Sequence, residues 1–124
     1  MGKTIGWFEI PANDLARAKK FYGAIFDIQF QDTTLPNGVK MALFPTSDRT
    51  VGGALCEHRD YYKPGHQGVL VYFSADPDMQ LLLDRIIMHG GKILVQKTFI
   101  TPEYGYMAVF EDVEGNRLAL HSMI

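Results

Sequence analysis

Cysteine is almost missing from this chain. Its 124 residues include one, Cys56, which excludes an intrachain disulfide and leaves no cysteine pair to hold zinc. An excess of positive charge is missing too. Twelve Lys and Arg stand against 14 Asp and Glu, a formal charge of -2, with the signs interspersed. Without a basic stripe to neutralise phosphates, nucleic-acid binding is disfavoured. Long apolar runs are also absent, so no segment is expected to span a bilayer. The opening segment, MGKTIGWFEIPAND, lacks the apolar core of a signal peptide, which makes the cytoplasm the expected location. Neither a phosphate-cradling Gly loop nor a specific Ser-His-Asp order is found. The apolar content of 47% with 21% charged residues excludes a disordered or fibrous chain and leaves one globular domain, residues 1–124.

The segment from Thr4 to Ile10 is β-rich and meets Pro11, which cannot continue a central strand. Asn13 or Asp14 then supplies a helix cap, and Leu15, Ala18, Tyr22 and Ile25 follow at helical spacing. Strands are expected over 28–33, 39–44 and 51–56, the first two joined by the hairpin signal Asn37-Gly38. A polar connection, 57–67, separates this from a second pass. Residues 68–74 read as a strand. Asp76 can cap a helix with Pro77 in its first turn, and Met79, Leu82, Leu83 and Ile86 form its buried stripe before Gly90-Gly91. Further strands are expected over 92–96, 106–110 and 117–122, the last introduced by the turn Glu114-Gly115-Asn116.

The two passes match. Trp7 and Val71 are 64 residues apart, as are Leu15 and Met79; Phe44 and Phe110 are 66 apart, and Ala54 and Ala119 are 65 apart. The expected class is therefore α+β, with two βαβββ units over about 4–56 and 68–122. Each unit is too small to bury its own sheet face well. They pair either within one chain or by exchange across a dimer.

The stretches WFEIPANDLARAKKFYGAIFDI (7–28), GGALC (52–56), GVLVYFSADPD (68–78), GGKILVQKT (90–98) and YMAVFEDVEGNRLALHS (106–122) resemble the vicinal oxygen chelate superfamily of glyoxalases, bleomycin-resistance proteins and extradiol dioxygenases. The nearest likeness is to small bacterial proteins described as related to lactoylglutathione lyase. The resemblance implies paired βαβββ units forming a cupped mixed β-sheet with helices on its outer face, commonly as a homodimer. It also implies a divalent metal, held by His and Glu from the first and fourth strands of each unit.

Carried over by position, those ligands fall at Trp7, Val71, Ala54 and Ala119. None of the four offers the imidazole or carboxylate lone pairs that such a metal requires. No cofactor is therefore expected, unless a metal sits at a displaced site. Strand alternation puts Glu9 on the face of Trp7 and His121 on the face of Ala119, so that Glu9 and His121 form the one candidate acid-base pair or displaced ligand set. The cup is expected to be walled by Trp7, Val69, Val71 and Phe73, with Ala54, Cys56, Tyr104, Tyr106 and Ala119 also facing the ligand. Cys56 is expected to be inert, and His58 and His66 solvated. His89 falls where imidazolium complements a helix dipole.

These features support a metal-independent protein that binds a small organic molecule, without nucleic-acid or membrane partners. The alternatives are a lyase, isomerase or dioxygenase using Glu9 and His121, and a non-catalytic scaffold domain.

Overall fold

The computed structural model describes residues 4–46 and 51–124. Strand β1 (Trp7–Pro11) leads into helix α1 (Leu15–Phe26), followed by β2 (Gln31–Thr34), β3 (Lys40–Leu43) and β4 (Gly52–Glu57). The second unit repeats the order with β5 (Tyr72–Ser74), α2 (Gln80–Met88), β6 (Lys92–Thr101), β7 (Gly105–Glu111) and β8 (Arg117–Ser122). Each unit makes a four-stranded mixed sheet, β1-β4-β3-β2 and β5-β8-β7-β6, in which the first strand lies parallel to the fourth.

Helix α1 starts where the sequence places it, because Asp14 accepts the N–H of Arg17 at 3.1 Å. It buries Ala18, Phe21, Tyr22 and Ile25. Helix α2 starts later than expected, at Gln80, and Asp76 does not cap it. The C-terminal strand satisfies the entry to this helix instead. Ser122 Oγ accepts the N–H of Met79 at 3.2 Å, and the Asp76 carboxylate is occupied by the N–H of Met123 at 2.9 Å. Strand β5 is also shorter than its apolar run. Val71 still gives its carbonyl to the N–H of Ala119 at 2.9 Å, but the N–H of Arg117, next along that edge, is bonded to the carbonyl of Gly65, so the ladder does not extend to residues 68–70. Conversely β6 runs five residues beyond its expected end, pairing irregularly with β7.

A single core joins the units within the chain. Phe21 of α1 lies 6.4 Å from Phe110 of β7, and Phe8 of β1 lies 6.2 Å from Phe73 of β5. Polar contacts fasten the same seam. The Tyr22 hydroxyl donates to Asp112 at 2.6 Å, and Glu114 accepts from the N–H groups of Asn13 and Asp14 and from the Arg17 guanidinium.

Strand β1 carries adjacent aromatic residues, one for each face of the sheet. Their rings need room beside β4, and two glycines provide it. Trp7 is paired with Gly52 and Phe8 with Gly53. A Cβ at Gly53 would lie 2.2 Å from the Phe8 ring, which is itself wedged against Phe44 and Phe73. Gly53→Ala is expected to destabilise the fold by about 1–3 kcal/mol, the usual range for overpacking, as measured by urea unfolding.

Candidate functional site

Alternation along β1 turns Phe8 and Ile10 into the main core and leaves Trp7 and Glu9 on the opposite face. Beside them on that face, Ala54 and Cys56 of β4 form a small cluster with Val39 and Met41. Tyr62, from the connection between the units, packs over this cluster and donates its hydroxyl to Glu9 Oε1 at 2.6 Å. The Trp7 indole N–H donates to Glu9 Oε2 at 3.2 Å. Glu9 is thus held by two donors from different segments, in one fixed orientation.

This arrangement sets the nearby acidities. Burial pushes the Cys56 thiol up to about 12, and the Glu9 carboxylate adds to the effect by repelling a thiolate. The Tyr62 phenol is held well above its ordinary range, first by its hydrogen bond to Glu9 and then by burial. Both groups keep their protons at neutral pH.

Next to Glu9 opens a cavity of about 550 Å³. Its walls come from the end of β1 (Glu9, Ile10, Pro11), the connection at 63–67, Val69 and Val71, and the start of β8 (Asn116, Arg117, Leu118). Two bonds fix the connection in place. Gly65 N–H donates to Asn116 Oδ1 at 3.1 Å, and Asn116 Nδ2 donates to the carbonyl of Pro11 at 2.7 Å. Both units therefore contribute to one mixed polar and apolar hollow.

The expected site residues divide. Glu9, Val69 and Val71 line the cavity together, with Val69 90% exposed. Trp7 lines a separate hollow with Leu43 and Phe44. Ala54 and Cys56 are buried beneath Tyr62, and Ala119 is fully buried in β8. Phe73 turns away from the expected cup wall and packs against Tyr22, Phe26 and Phe44 in the main core. Its neighbour Tyr72 takes the outward place, paired with Ala119. The reason is register. Ala54 pairs with Glu9 while Ala119 pairs with Tyr72, so the first strands correspond one residue away from the Trp7–Val71 match.

His121 is not among the cavity walls; its Nε2–H is bonded to the carbonyl of Tyr104, in the exposed β6–β7 turn. Tyr106 packs partly against the main core, edge-on to Phe99, with the Lys97 ammonium 4.7 Å above its ring. Glu9 and His121 are thus engaged with different partners. His66 is solvent-exposed, as expected, and also has a partner. It pairs with Glu111 at 2.6 Å and lines the cavity. His58 stacks on Tyr61 at 4.2 Å, and His89 caps the end of α2 through its backbone.

The residues present do not fit a chelated divalent metal. Trp7, Ala54, Val71 and Ala119 supply no donor atoms, and among the described residues no three His, Cys, Asp or Glu converge. Tyr62, Lys63, Tyr72 and Arg117 were not singled out by the sequence reading. For Arg117 a signal existed, since it lies two residues before Ala119 and so shares its face.

Residues 4–120 match the profile of the Glyoxalase/Bleomycin resistance protein/Dioxygenase superfamily. A glyoxylase-like domain-containing protein of Didymella fabae is 31% identical over 121 residues, covering 94% of this chain and 91% of that one. Among solved structures, a glyoxylase/bleomycin resistance protein/dioxygenase domain from Frankia sp. EAN1pec superposes with a TM-score of 0.73 at 16% identity, covering 98% of this chain and 97% of that one. TnmS3, described as an antibiotic binding protein from Streptomyces sp. CB03234, gives 0.69 at 20% identity, covering 98% and 96%. At these identities the structures share the fold. No helix among the described residues is long and apolar enough to cross a membrane.

The thiol gives a direct check on this geometry. Native protein at pH 7–9 is expected to react with Ellman's reagent far more slowly than protein unfolded in urea. The native rate should rise about tenfold per pH unit as pH climbs toward about 12, because only the thiolate attacks. Equal native and unfolded rates at pH 8 would contradict the buried, Glu9-shielded placement.

Proposed function

The chain belongs to the Glyoxalase/Bleomycin resistance protein/Dioxygenase superfamily, and we propose that within it this protein binds a small organic molecule without a resident metal. One observation carries the reading. The four positions where the superfamily resemblance implies metal ligands hold Trp7, Ala54, Ala119 and Val71 (Leu70 at the register the strands take), and Ala54 and Ala119 are sealed in the protein. What remains is a hollow of about 550 Å³, a size that suits a small ligand, with apolar walls from Pro11, Val69, Val71 and Leu118. The likeness to a protein described as antibiotic-binding supports a role in holding a ligand.

The proposed place of work is the cytoplasm, which suits a sole cysteine that is buried and unpaired. The proposed assembly is a homodimer. It is supported by β6, an edge strand that exposes Leu94, Val95, Phe99 and Ile100 to water. Analytical ultracentrifugation of the full chain is expected to give twice the monomer mass. Phe99→Lys should shift it to the monomer, and a native monomer at all concentrations would retire the dimer.

A second reading has an observation of its own. Glu9, clamped by Tyr62 and Trp7, is oriented as a general base should be, and it faces the cavity. A lyase, isomerase or dioxygenase would use it, with His121 as acid or displaced metal ligand.

Elemental analysis separates the readings. After incubation with manganese, iron, cobalt, nickel or zinc, the protein is expected to retain no stoichiometric metal. A stoichiometric ion that disappears in His121→Ala would overturn the metal-free reading in favour of the enzyme. Turnover of any substrate abolished by Glu9→Gln, with the fold intact, would do the same for metal-free catalysis.

A further inference from the structure

Among the described residues, Arg117 Nε is the one buried side-chain nitrogen or oxygen without a hydrogen-bond partner. A buried unmade donor is costly, the more so in a charged group, so its persistence calls for an explanation. The neighbouring carboxylate does not supply one. Glu111 faces Arg117 directly across the β7–β8 ladder, yet it is engaged with His66 at 2.6 Å and lies 3.9 Å from Lys92. The other cation of the cavity is also occupied, since Lys63 donates to the carbonyl of Arg59. Arg117 therefore lines the cavity with no ion-pair partner among the described residues, and since Nε is sealed, a molecule in the cavity would meet the guanidinium through its outer nitrogens.

Its surroundings hold it in place. The backbone N–H of Arg117 is bonded to Gly65, and the adjacent Asn116 ties the connection and Pro11 together. These bonds fix the backbone from which the side chain extends, and its guanidinium offers paired donors whose planar geometry matches a carboxylate. Charge narrows the ligand further. With His66 paired to Glu111, the remaining charged side chains of the cavity wall are Arg117, Lys63 and Glu9. Two cations against one carboxylate suit a monoanion better than a dianionic phosphate. The apolar stretch from Val69 to Val71 and Leu118 would meet the ligand's body.

We infer that the cavity between the units recognises an organic monocarboxylate, whose carboxylate accepts from Arg117 while its apolar body rests on Val69, Val71 and Leu118. The inference rests on the small-molecule reading above and specifies the charge of that ligand.

The test uses two probes of one shape, benzoate and benzamide, titrated into the full chain while NMR follows the Arg117 Nε–Hε signal and the methyl groups of Val69 and Val71. Benzoate is expected to shift the Arg117 signal and both sets of methyls, saturating at a concentration at least about tenfold below that for benzamide. Arg117→Gln should erase the preference. Arg117→Lys, which keeps the charge and guards against a folding artefact, should restore part of it. If benzoate and benzamide bind with equal affinity, or if Arg117→Gln binds benzoate as well as the unaltered chain, the carboxylate inference falls and the cavity remains a small-molecule site. If neither probe moves the Val69 and Val71 methyls, both the inference and the small-molecule reading fall.

Discussion

The buried acidic turn at 112–116 is the interaction on which the rest of the structure depends. Two carboxylates taken out of water are tolerated only when donors replace the lost hydration. Asp112 receives the Tyr22 hydroxyl, the N–H groups of Glu114 and Asn116, and the Asn116 amide. Glu114 receives two N–H groups at the mouth of α1 as well as the Arg17 guanidinium. Tyr22, Asn13, Asp14 and Arg17 donate from the first unit, and both acceptors lie in the second. The turn therefore does at the seam what a cap does at one helix, and it fixes how the two sheets face each other. It also builds the cavity, because Asn116 spans from Pro11 to Gly65 and so holds three of its walls at once.

Much of this order was legible in the sequence. Helix α1 could be placed closely because a cap at Asn13 or Asp14 and the stripe from Leu15 to Ile25 are local signals, and the structure selects Asp14. Strand β8 runs from Arg117 to Ser122, as read, because a tight turn and a change of composition bracket it. The misplacements share one cause. The start of α2, the short β5 and the long β6 are all set by partners distant in the chain, namely Ser122, Gly65 and the irregular ladder with β7. Local propensity carries no record of which edge is already occupied.

The candidate site was less legible for the same reason, sharpened by the period of two. An offset of one residue reverses every side chain on a strand. Matching Trp7 to Val71 sent Phe73 to the cup, whereas pairing with β8 sends Tyr72 outward and Phe73 into the core. Glu9 was found because the alternation of β1 is correct. Tyr62, which orients it, lies in a polar connection with no periodicity, and nothing but the fold brings it to Glu9. Arg117 shares the face of Ala119 by alternation, which the sequence carries, but its lack of a hydrogen-bond partner at Nε is a property of three dimensions alone.

The departure from a metal site goes deeper than four missing ligands. Ala54 and Ala119 have no exposed surface, and the cluster holding Ala54 is roofed by Tyr62. A carboxylate side chain at either position would have to displace packed neighbours before it could reach an ion, and overpacking of this kind costs about as much as a lost core methylene or more. On β1 the place of a ligand is taken by an indole that lies over Gly52, where a Cβ would come within 2.8 Å of the ring. The small residues on β4 and the large one on β1 thus fit each other. The floor is packed, and polar groups stand at the rim, where Glu9 and Arg117 share a cavity between the two units. A cavity so lined offers shape and charge for recognition, while the side chains at the implied ligand positions have no lone pair to give an ion.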